Sequence, residues 1–395
     1  MTRPSPPELL ATLRRDEEAM ASFLARLVEA ESPTDDPQAQ RAVFALLAGE
    51  LGAIGFEVRA LPGDGYGAHL YARPRGRRRG RPTQLAVGHL DTVWPVGTLE
   101  RMPVRREGDL LHGPGVFDMK GGLAVMVFAL RALAEHGVEP AATPVCFVAA
   151  DEEAGSVDSQ RTLLRLARSA ARAFVLEPPY GPSGRLKTAR KGVGRFTVRV
   201  RGRAAHAGVD PEAGVSAIRE LARQVERLFD LNDASRGVTV NVGQIDGGLR
   251  PNVIAPEATA VVDCRVPTNA DARAVDAAIR ALRPTREDVV LAVDGGFGRP
   301  PMEATERNLA LFEQARGLAA ELGLAVEPAS VGGGSDGNLT SLVTATLDGL
   351  GAVGAGAHAD NEHVVVSRLP ERAALLALLL ASPVEADPRR NGGLP

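Results

Sequence analysis

Two histidines and several carboxylates, spread over much of the chain, are of the side-chain types that bind divalent metal ions. His89 is followed two residues later by Asp91. A histidine that binds a metal usually donates its other ring nitrogen to a carboxylate or carbonyl oxygen, and Asp91 could accept it or bind the metal itself. Asp118 in GPGVFDMKGG, Glu177 in FVLEP and His358 in GAGAHADNEHV are three further candidates. Asp118 could also cap the helix that follows it, a role compatible with metal binding.

Three adjacent acids, Asp151, Glu152 and Glu153, follow directly after the apolar run PVCFVAA at 144–150. Burying neighbouring carboxylates is costly unless cations or hydrogen-bond donors balance their charge. A divalent metal is one such balance, and a second glutamate beside it could take a proton from a water that the metal activates. The alternative that stays open is an acidic helix start stabilised by the helix dipole.

The set of side chains also indicates which metals to expect, and how many. Mixed nitrogen and oxygen ligands suit zinc, and cobalt or manganese are compatible with the same side chains. One tetrahedral zinc needs four ligands, and this set is larger. A carboxylate shared between two metals about 3.5–4 Å apart would use all of them. We therefore expect two divalent metals, with Zn²⁺ as the first expectation.

Apolar strands and helical patterns alternate along the segments that contain these residues. Strands predicted at 84–92, 144–150 and 173–176 carry candidate residues at their carboxyl ends. Helices predicted at 119–136 and 156–171 separate them. This order predicts an α/β fold with a mixed, mostly parallel sheet flanked by helices, in which ligands bind beyond the carboxyl ends of the strands. Further helices are predicted at 8–30, 37–51, 305–322 and 369–380.

Residues 187–294 have a different pattern, with alternating strands and two amphipathic helices in the order βαββαβ. That order is the split-βαβ arrangement of a complete ferredoxin-like α+β domain. The segments on either side, 1–186 and 295–395, share the α/β pattern. The sequence therefore predicts one α/β domain with a smaller domain inserted in it.

Composition and charge exclude several classes of protein. The chain of 395 residues is 44% hydrophobic and 24% charged, which is typical of globular proteins. Its net charge of −3 argues against nucleic acid or an anionic membrane as the main partner. No apolar run is long enough to span a bilayer, and the N-terminus lacks the apolar core of a secretory signal, so we expect a cytoplasmic protein. The basic run Arg73–Arg81 is interpreted as a solvated hairpin loop.

Seven segments, taken in order, resemble motifs of the M20 family of metallopeptidases, and most closely those of its glutamate carboxypeptidase (carboxypeptidase G2-like) branch. They extend from about residue 85 to 368 and are HLDT, GPGVFDMKGG, DEE, FVLEP, RKGVGRFTVRVRGRAAHAG, GGLRPNVI and GGGSDGN with GAHADNEHV. The resemblance implies a zinc-peptidase-like catalytic domain at 1–186 and 295–395. It also implies that the inserted domain is a lid that forms a homodimer.

The resemblance implies a role for each candidate metal ligand. His89 and Glu177 would bind one metal, and Glu153 and His358 would bind the other. Asp118 would bridge the two metals and so belong to both ligand sets.

The same resemblance implies roles for residues that do not bind metal. Asp91 would orient the metal-binding histidine that precedes it, and Glu152 would be the general base and proton shuttle. His206, in the inserted domain, would stabilise the oxyanion in the partner subunit's site. Asn252 and Arg265 would bind the substrate, because the donors of an arginine form a fixed fork that suits a carboxylate.

The sequence departs from the family pattern at several positions. His112 and Pro114 stand where many members have Tyr and Arg, and Leu249 and Ala255 replace a common Thr and Pro. These four bear on substrate preference rather than on hydrolysis, because none is a proposed ligand. His363, the alternative for the last histidine ligand, stands where the family usually has an aromatic residue.

The implied activity is hydrolysis of an amide or peptide bond that releases a C-terminal amino acid, with glutamate as a candidate. The substrate would be an N-acyl amino acid, a folate-like molecule or a small peptide. The alternative within the same chemistry is an N-acyl amino acid deacylase of the acetylornithine or succinyl-diaminopimelate type.

Three interpretations outside this class compete with it. Ser335 in GGSDG fits the nucleophile elbow G-x-S-x-G, and Asp348 and His358 follow in the order expected of a serine hydrolase. The segment 332–337 also fits the dinucleotide-binding pattern G-x-G-x-x-G, although late in the chain. The serine-hydrolase interpretation leaves the carboxylate cluster without a role. A binding or scaffold protein without catalysis is the third, and the presence of every proposed ligand argues against it.

Overall fold

The computed structural model describes residues 5–76 and 80–384 of the chain. The α-helices of these residues are α1 (Pro6–Arg15), α2 (Glu17–Glu29), α3 (Gln40–Ala53), α4 (Gly121–Glu135), α5 (Gln160–Ser169), α6 (Ala217–Phe229), α7 (Asn269–Arg280), α8 (Glu306–Glu321), α9 (Asp336–Thr340) and α10 (Leu369–Ala381). None of these helices has the length and apolar character needed to cross a bilayer. The strands are β1 (Phe56–Leu61), β2 (His69–Pro74), β3 (Thr83–His89), β4 (Arg105–Glu107), β5 (Leu110–His112), β6 (Thr143–Ala149), β7 (Ala170–Val175), β8 (Leu186–Arg190), β9 (Gly192–Arg201), β10 (Thr239–Gly247), β11 (Glu257–Val266), β12 (Val290–Arg299), β13 (Pro328–Val331), β14 (Ala345–Leu347), β15 (Gly354–Ala355) and β16 (His363–Val365).

These elements form two compact units. The second unit is Ala189–Glu303 together with Val331–Gly334, and the first contains the other described residues. The last strand of the second unit, β12, continues to Arg299 because it pairs with β9 along almost its whole length. The expected boundary at 294 therefore falls within a strand. The roles of the second unit as lid and dimerisation domain stay predictions.

The first unit contains a six-stranded sheet with the order β1-β2-β6-β3-β7-β14. The neighbouring strands β6, β3, β7 and β14 are parallel to one another. At the other edge, β2 runs antiparallel to both of its neighbours, β1 and β6. The predicted mixed, mostly parallel sheet is confirmed. Because the carboxyl ends of parallel strands meet at one edge, β3, β6 and β7 deliver His89, the acids at 151–153 and Glu177 to the same end of the sheet.

Apolar side chains on both faces of this sheet pack against helices. All seven residues of β6 are buried. Ala86 of β3 packs in the core cluster that contains α4 and α10, while its neighbours Leu85 and Val87 pack in a separate cluster with α5. Successive side chains of a strand point to opposite faces, so a strand covered on both faces is apolar throughout.

The second unit contains a four-stranded antiparallel sheet with the order β10-β11-β9-β12. Its elements follow one another as β9, α6, β10, β11, α7 and β12, which is the predicted βαββαβ order. Along β9, buried Phe196, Val198 and Val200 alternate with exposed Arg195 and Arg199. This alternation is expected of an antiparallel sheet with one face packed and the other in solvent.

Two local predictions about helices are wrong. The helix predicted at 8–30 is two helices, α1 and α2, separated at Asp16, whose backbone is not helical. Asp is a poor residue for a helix interior because its side chain competes for nearby backbone groups. Asp118 does not cap the helix after it, because α4 begins at Gly121 and Asp118 lies in the irregular turn Val116–Lys120. Its carboxylate instead faces side chains from other loops.

The basic run at 73–81 joins β2 to β3, but these strands are not neighbours, because β6 lies between them. The hairpin interpretation is therefore wrong. Arg73 forms an ion pair with Glu57 at 3.2 Å, and Arg81 forms one with Glu139. Residues 77–79 of the run lie outside the described residues.

We predict that Gly122→Ala destabilises the protein by about 1–3 kcal/mol. A Cβ at Gly122 would lie 1.9 Å from the main-chain oxygen of Leu176, so the packing of α4 against the end of β7 would have to open. Gly49 is the matched control, because its Cβ position in α3 has no described atom within 4 Å.

Gly49→Ala should stabilise the protein by up to about 1 kcal/mol, because alanine is the better helix former. Urea denaturation of both variants and the wild type measures the two free energies of unfolding. Equal stability of the two variants would contradict the packing argument.

Candidate functional site

The ring of His89, at the end of β3, is buried and directs one nitrogen towards two carboxylates. Its Nε2 lies 3.4 Å from Oδ1 of Asp118 and 3.5 Å from Oε1 of Glu177. Its Nδ1 lies 2.9 Å from the main-chain oxygen of Asp91, which can only accept, so Nδ1 donates. Among the described residues, Nε2 has no hydrogen-bond partner. A histidine fixed through one nitrogen, with the other unpaired among carboxylates, is arranged as metal-binding histidines are.

Asp118 presents its two carboxylate oxygens to two different histidines. Oδ1 faces His89, and Oδ2 lies 3.4 Å from Nε2 of His358. The same nitrogen of His358 lies 3.3 Å from Oε1 of Glu153. A carboxylate placed between two imidazoles can bridge two metals.

The spacing of these atoms fits divalent metal ions. Two ligand atoms of a tetrahedral zinc, with bonds of about 2.0–2.1 Å, lie about 3.3 Å apart. The separations in the cluster are between 3.3 and 3.5 Å. Two groups of three side chains bring one ligand atom each within 4.8 Å of the others: His89 with Glu152 and Glu177, and His89 with Asp118 and Glu153. The donor set and its geometry therefore suit metal binding.

His358 reaches the cluster from a loop near the C-terminal end of the chain, and its ring is half exposed. Its backbone has a φ of +59°, a left-handed conformation that few residues other than glycine adopt. The alternative ligand His363 lies in β16, where its ring packs against that of His112, with 5.3 Å between the centroids and a tilt of 43° between the ring planes. His112 and His363, two positions at which this sequence differs from the family pattern, are therefore in contact with each other.

Negative charge in the cluster raises the pKa of both histidines. Asp118 and Glu153 raise the pKa of His358 to about 10. Burial alone would lower the pKa of His89, but Asp118 and other nearby carboxylates raise it well above its ordinary value. Burial also disfavours ionised Asp118, yet the two histidines lower the pKa of Asp118. The cluster therefore favours added positive charge.

The carboxylate of Asp91 holds the turn that carries the two glutamates of the cluster. It accepts the main-chain N–H of Glu152 at 3.2 Å and that of Glu153 at 3.1 Å. The hydroxyl of Thr34 donates to it at 2.8 Å. Its Oδ1 is 3.5 Å from Nδ1 of His89, farther than the main-chain oxygen of Asp91. Asp91 thus positions the histidine through its backbone and the glutamates through its side chain.

Of the three adjacent acids, Asp151 faces away from the cluster. It is fully buried, and its Oδ2 accepts the main-chain N–H groups of Asp158 and Ser159, at 2.7 and 3.1 Å. Asp151 therefore fixes the turn before α5, while Glu152 and Glu153 contribute to the cluster.

Three predicted residues lie in the second unit. Nδ1 of His206 accepts the N–H groups of Gly208 and Val209, at 3.2 and 3.1 Å, so the proton of a neutral ring is on the exposed Nε2. The main-chain oxygen of Asn252 accepts the N–H of Ala207 at 3.0 Å, which places Asn252 beside His206. Arg265 forms two hydrogen bonds with Asp263, at 2.8 and 3.0 Å.

The position of Ser335 argues against the serine-hydrolase interpretation. Ser335 is fully buried, and its Oγ donates to Oδ2 of Asp348 at 2.7 Å and accepts the N–H of Gly337 at 2.9 Å. It caps α9. The serine of a nucleophile elbow exposes its Oγ instead.

Two residues next to the cluster were missed in the sequence. Thr34 contacts Asp91, as described above, and Glu362 accepts the main-chain N–H of Asp118 at 2.9 Å. Glu362 could have been noticed, because it stands four residues after His358 in the same motif. The segment around Thr34 carries no comparable signal.

Comparison with known proteins agrees with the resemblance seen in the motifs. Residues 85–382 match the model of a family described as Peptidase family M20/M25/M40. The chain is 32% identical over 378 residues to Carboxypeptidase G2 of Pseudomonas sp. (strain RS-16), covering 92% of this chain and 89% of that protein. It is 31% identical over 373 residues to a succinyl-diaminopimelate desuccinylase of Leptothrix cholodnii, covering 88% of this chain and 94% of that one. Among solved structures, aminopeptidase PepT from Bacillus cereus has a TM-score of 0.78 at 24% identity, covering 92% of this chain and 98% of that chain, which supports the fold.

We predict that Zn²⁺ binding releases protons at neutral pH. The pKa of His358, about 10, keeps its imidazole protonated at about pH 7 when no metal is bound, and a metal binds only the neutral ring. The apparent affinity for Zn²⁺ should therefore rise between about pH 6 and pH 8. Calorimetric titrations in buffers of different ionisation enthalpy measure the protons released.

The matched control is His363→Ala, which removes a histidine outside the cluster and should release as many protons as the wild type. An affinity that does not change with pH would contradict the assignment of His358 as a ligand.

Proposed function

Since this chain belongs to the peptidase family M20/M25/M40 and is a hydrolytic enzyme, we propose that it is a two-metal amidohydrolase that releases a C-terminal amino acid, with glutamate as the first candidate. The substrate would be an N-acyl amino acid, a folate-like molecule or a small peptide. The observation that carries the proposal is the position of Asp118, which faces His89 with one oxygen and His358 with the other.

The proposed ligand sets are those that the family motifs imply, and the distances in the cluster support them. We assign His89 and Glu177 to one metal, Glu153 and His358 to the other, and Asp118 to both. When bound, such metals polarise a carbonyl oxygen and lower the pKa of water to near neutrality. Zn²⁺ suits these ligands best, with Co²⁺ or Mn²⁺ as alternatives.

Glu152 is the proposed general base. Its carboxylate lies in one group with His89 and Glu177, and its backbone is held by Asp91. In the proposed reaction it takes a proton from the attacking water and later gives that proton to the leaving amine.

His206 is the proposed donor to the oxyanion, because its exposed Nε2 carries a proton that can be directed at a developing negative charge. We propose that it acts in the partner subunit's site within a homodimer. The edge strand β10 of the second unit, with Ile245 61% exposed, supports an interface there, because an unpaired strand edge can pair with its copy.

Asn252 and Arg265 are the proposed substrate-binding residues of the second unit. Asn252 lies beside His206. The fork of Arg265 already contacts Asp263, so a substrate carboxylate would have to share the guanidinium with that side chain.

A second candidate function is an N-acyl amino acid deacylase, favoured by the match to a succinyl-diaminopimelate desuccinylase along most of both chains. The bond cleaved and the proposed base would be the same, and the acyl group would differ. The two candidates therefore separate by substrate preference alone.

We predict that Glu152→Gln lowers kcat by about 10²- to 10⁴-fold, because the amide cannot take the proton from water. Steady-state kinetics on an N-acyl glutamate, together with the metal content of the purified protein, test this. The control is Glu257→Gln, which makes the same change at an exposed side chain and should keep both activity and metal. Near-native turnover of Glu152→Gln would show that the base is another group.

We predict that a substrate panel assayed with zinc, cobalt and manganese shows the highest kcat/KM for compounds that end in glutamate. The panel should contain N-acyl glutamates, dipeptides, and N-acetyl and N-succinyl amino acids. A preference for N-succinyl or N-acetyl amino acids, whatever the released residue, would favour the deacylase. Absence of amide hydrolysis with every metal would contradict both.

A further inference from the structure

Glu362 is a buried glutamate whose carboxylate is surrounded by N–H groups. Its side chain is 1% exposed. Oε1 accepts the main-chain N–H groups of Phe117 and Asp118, both at 2.9 Å. Oε2 accepts the main-chain N–H of Gly115 at 2.8 Å and the indole N–H of Trp94 at 2.9 Å. Four donors thus compensate for the burial of one negative charge.

The main chain around Asp118 is shaped for this carboxylate. Gly115 has a φ of +72°, and the irregular turn Val116–Lys120 follows it. N–H groups that would pair within a regular helix therefore converge on the carboxylate of Glu362. Such a cradle of N–H groups binds an anion. Without Glu362, these buried donors would lose their partner, at a cost of about 1–3 kcal/mol for each unsatisfied group.

Glu362 also connects three loops of the candidate metal site. Trp94 follows β3 and the residues of the HLDT motif, Asp118 belongs to the second loop, and Glu362 shares its own loop with His358. The main-chain oxygen of Glu362 accepts the N–H of Gly113 at 3.3 Å, which adds a backbone contact between the last two loops. The two side chains that these loops present, Asp118 and His358, lie 3.4 Å apart.

We infer that Glu362 is a positioning residue of the metal site, which holds Asp118 at the distance from His358 that a shared metal requires. This inference rests on the proposed function, because it takes the cluster to be the metal site. Among the described residues, the carboxylate of Glu362 contacts N–H groups and none of the candidate ligand atoms. It therefore acts through the backbone of Asp118. Residues that orient metal ligands in this way commonly contribute about 10- to 100-fold to metal affinity.

A purely structural role would give a different result, and the chain contains a control for it. Glu220, in the second unit, is a glutamate of similar burial at 2% exposure. It accepts the main-chain N–H of Thr285 at 2.8 Å, the hydroxyl of Thr285 at 2.5 Å and the amide of Gln224 at 2.6 Å. Changing either glutamate to glutamine replaces one acceptor oxygen by an NH₂ group that faces donors. Both changes should therefore lower the melting temperature of the metal-free protein.

The experiment compares Zn²⁺ affinity in the full-length wild type, Glu362→Gln and Glu220→Gln by competition with a chromophoric chelator. We expect Glu362→Gln to bind Zn²⁺ about 10- to 100-fold more weakly than the wild type. Glu220→Gln should have the affinity of the wild type although its melting temperature falls. Wild-type affinity in folded Glu362→Gln would overturn the inference, as would an equal loss in both variants.

The same titration separates this inference from the proposed function. A wild-type protein that binds no Zn²⁺ would contradict the proposed function, and a wild type and Glu362→Gln that bind it equally would contradict the inference alone. Should Glu362→Gln fail to fold, Trp94→Phe removes one of the four donors and keeps an aromatic ring. Weaker Zn²⁺ binding by Trp94→Phe would then support the inference, and wild-type affinity would overturn it.

Discussion

A concentration of negative charge at one end of a buried sheet is the constraint that shapes this molecule. Removing a carboxylate from water costs several kcal/mol unless opposite charge or N–H donors replace the solvent. N–H groups donate hydrogen bonds to the carboxylates that hold the loops in place, which are those of Asp91, Asp151 and Glu362. At Asp118 the neighbours are two imidazoles. That difference separates the carboxylates that hold the loops from Asp118, whose oxygen atoms face the two histidines of the cluster.

Close packing of backbone against backbone keeps this end of the sheet in place. Glycines at 122 and 351 both approach the main-chain oxygen of Leu176, one residue before Glu177, more closely than any side chain would allow. The start of α4 and the loop after β14 therefore press directly on the end of β7. The position of a candidate ligand is fixed by contacts that involve no charge.

The sequence alone was sufficient to predict the features of the fold that depend on local patterns of residues. Continuous apolar runs identified β3 and β6, and the acids directly after them identified the edge where the cluster forms. The break at Asp16 and the partners of strand β2 were not predictable, because they depend on how distant segments pack. The same holds for Glu362: its motif marks it as unusual, but only the folded chain shows that its donors come from the loop of Asp118. Patterns in the sequence identify the side chains that could react. The residues that orient those side chains can be identified only from the tertiary contacts of the folded chain.

The position of His358 in the chain has a consequence for the order in which the cluster forms. His358 and Glu362 both come from the C-terminal part of the chain, whereas His89 and Asp118 precede the second unit entirely. During synthesis, the cluster is complete only after residues 358–362 have left the ribosome, when the whole second unit has already been made. A product that terminates before residue 358 therefore lacks one of the two histidines that face Asp118.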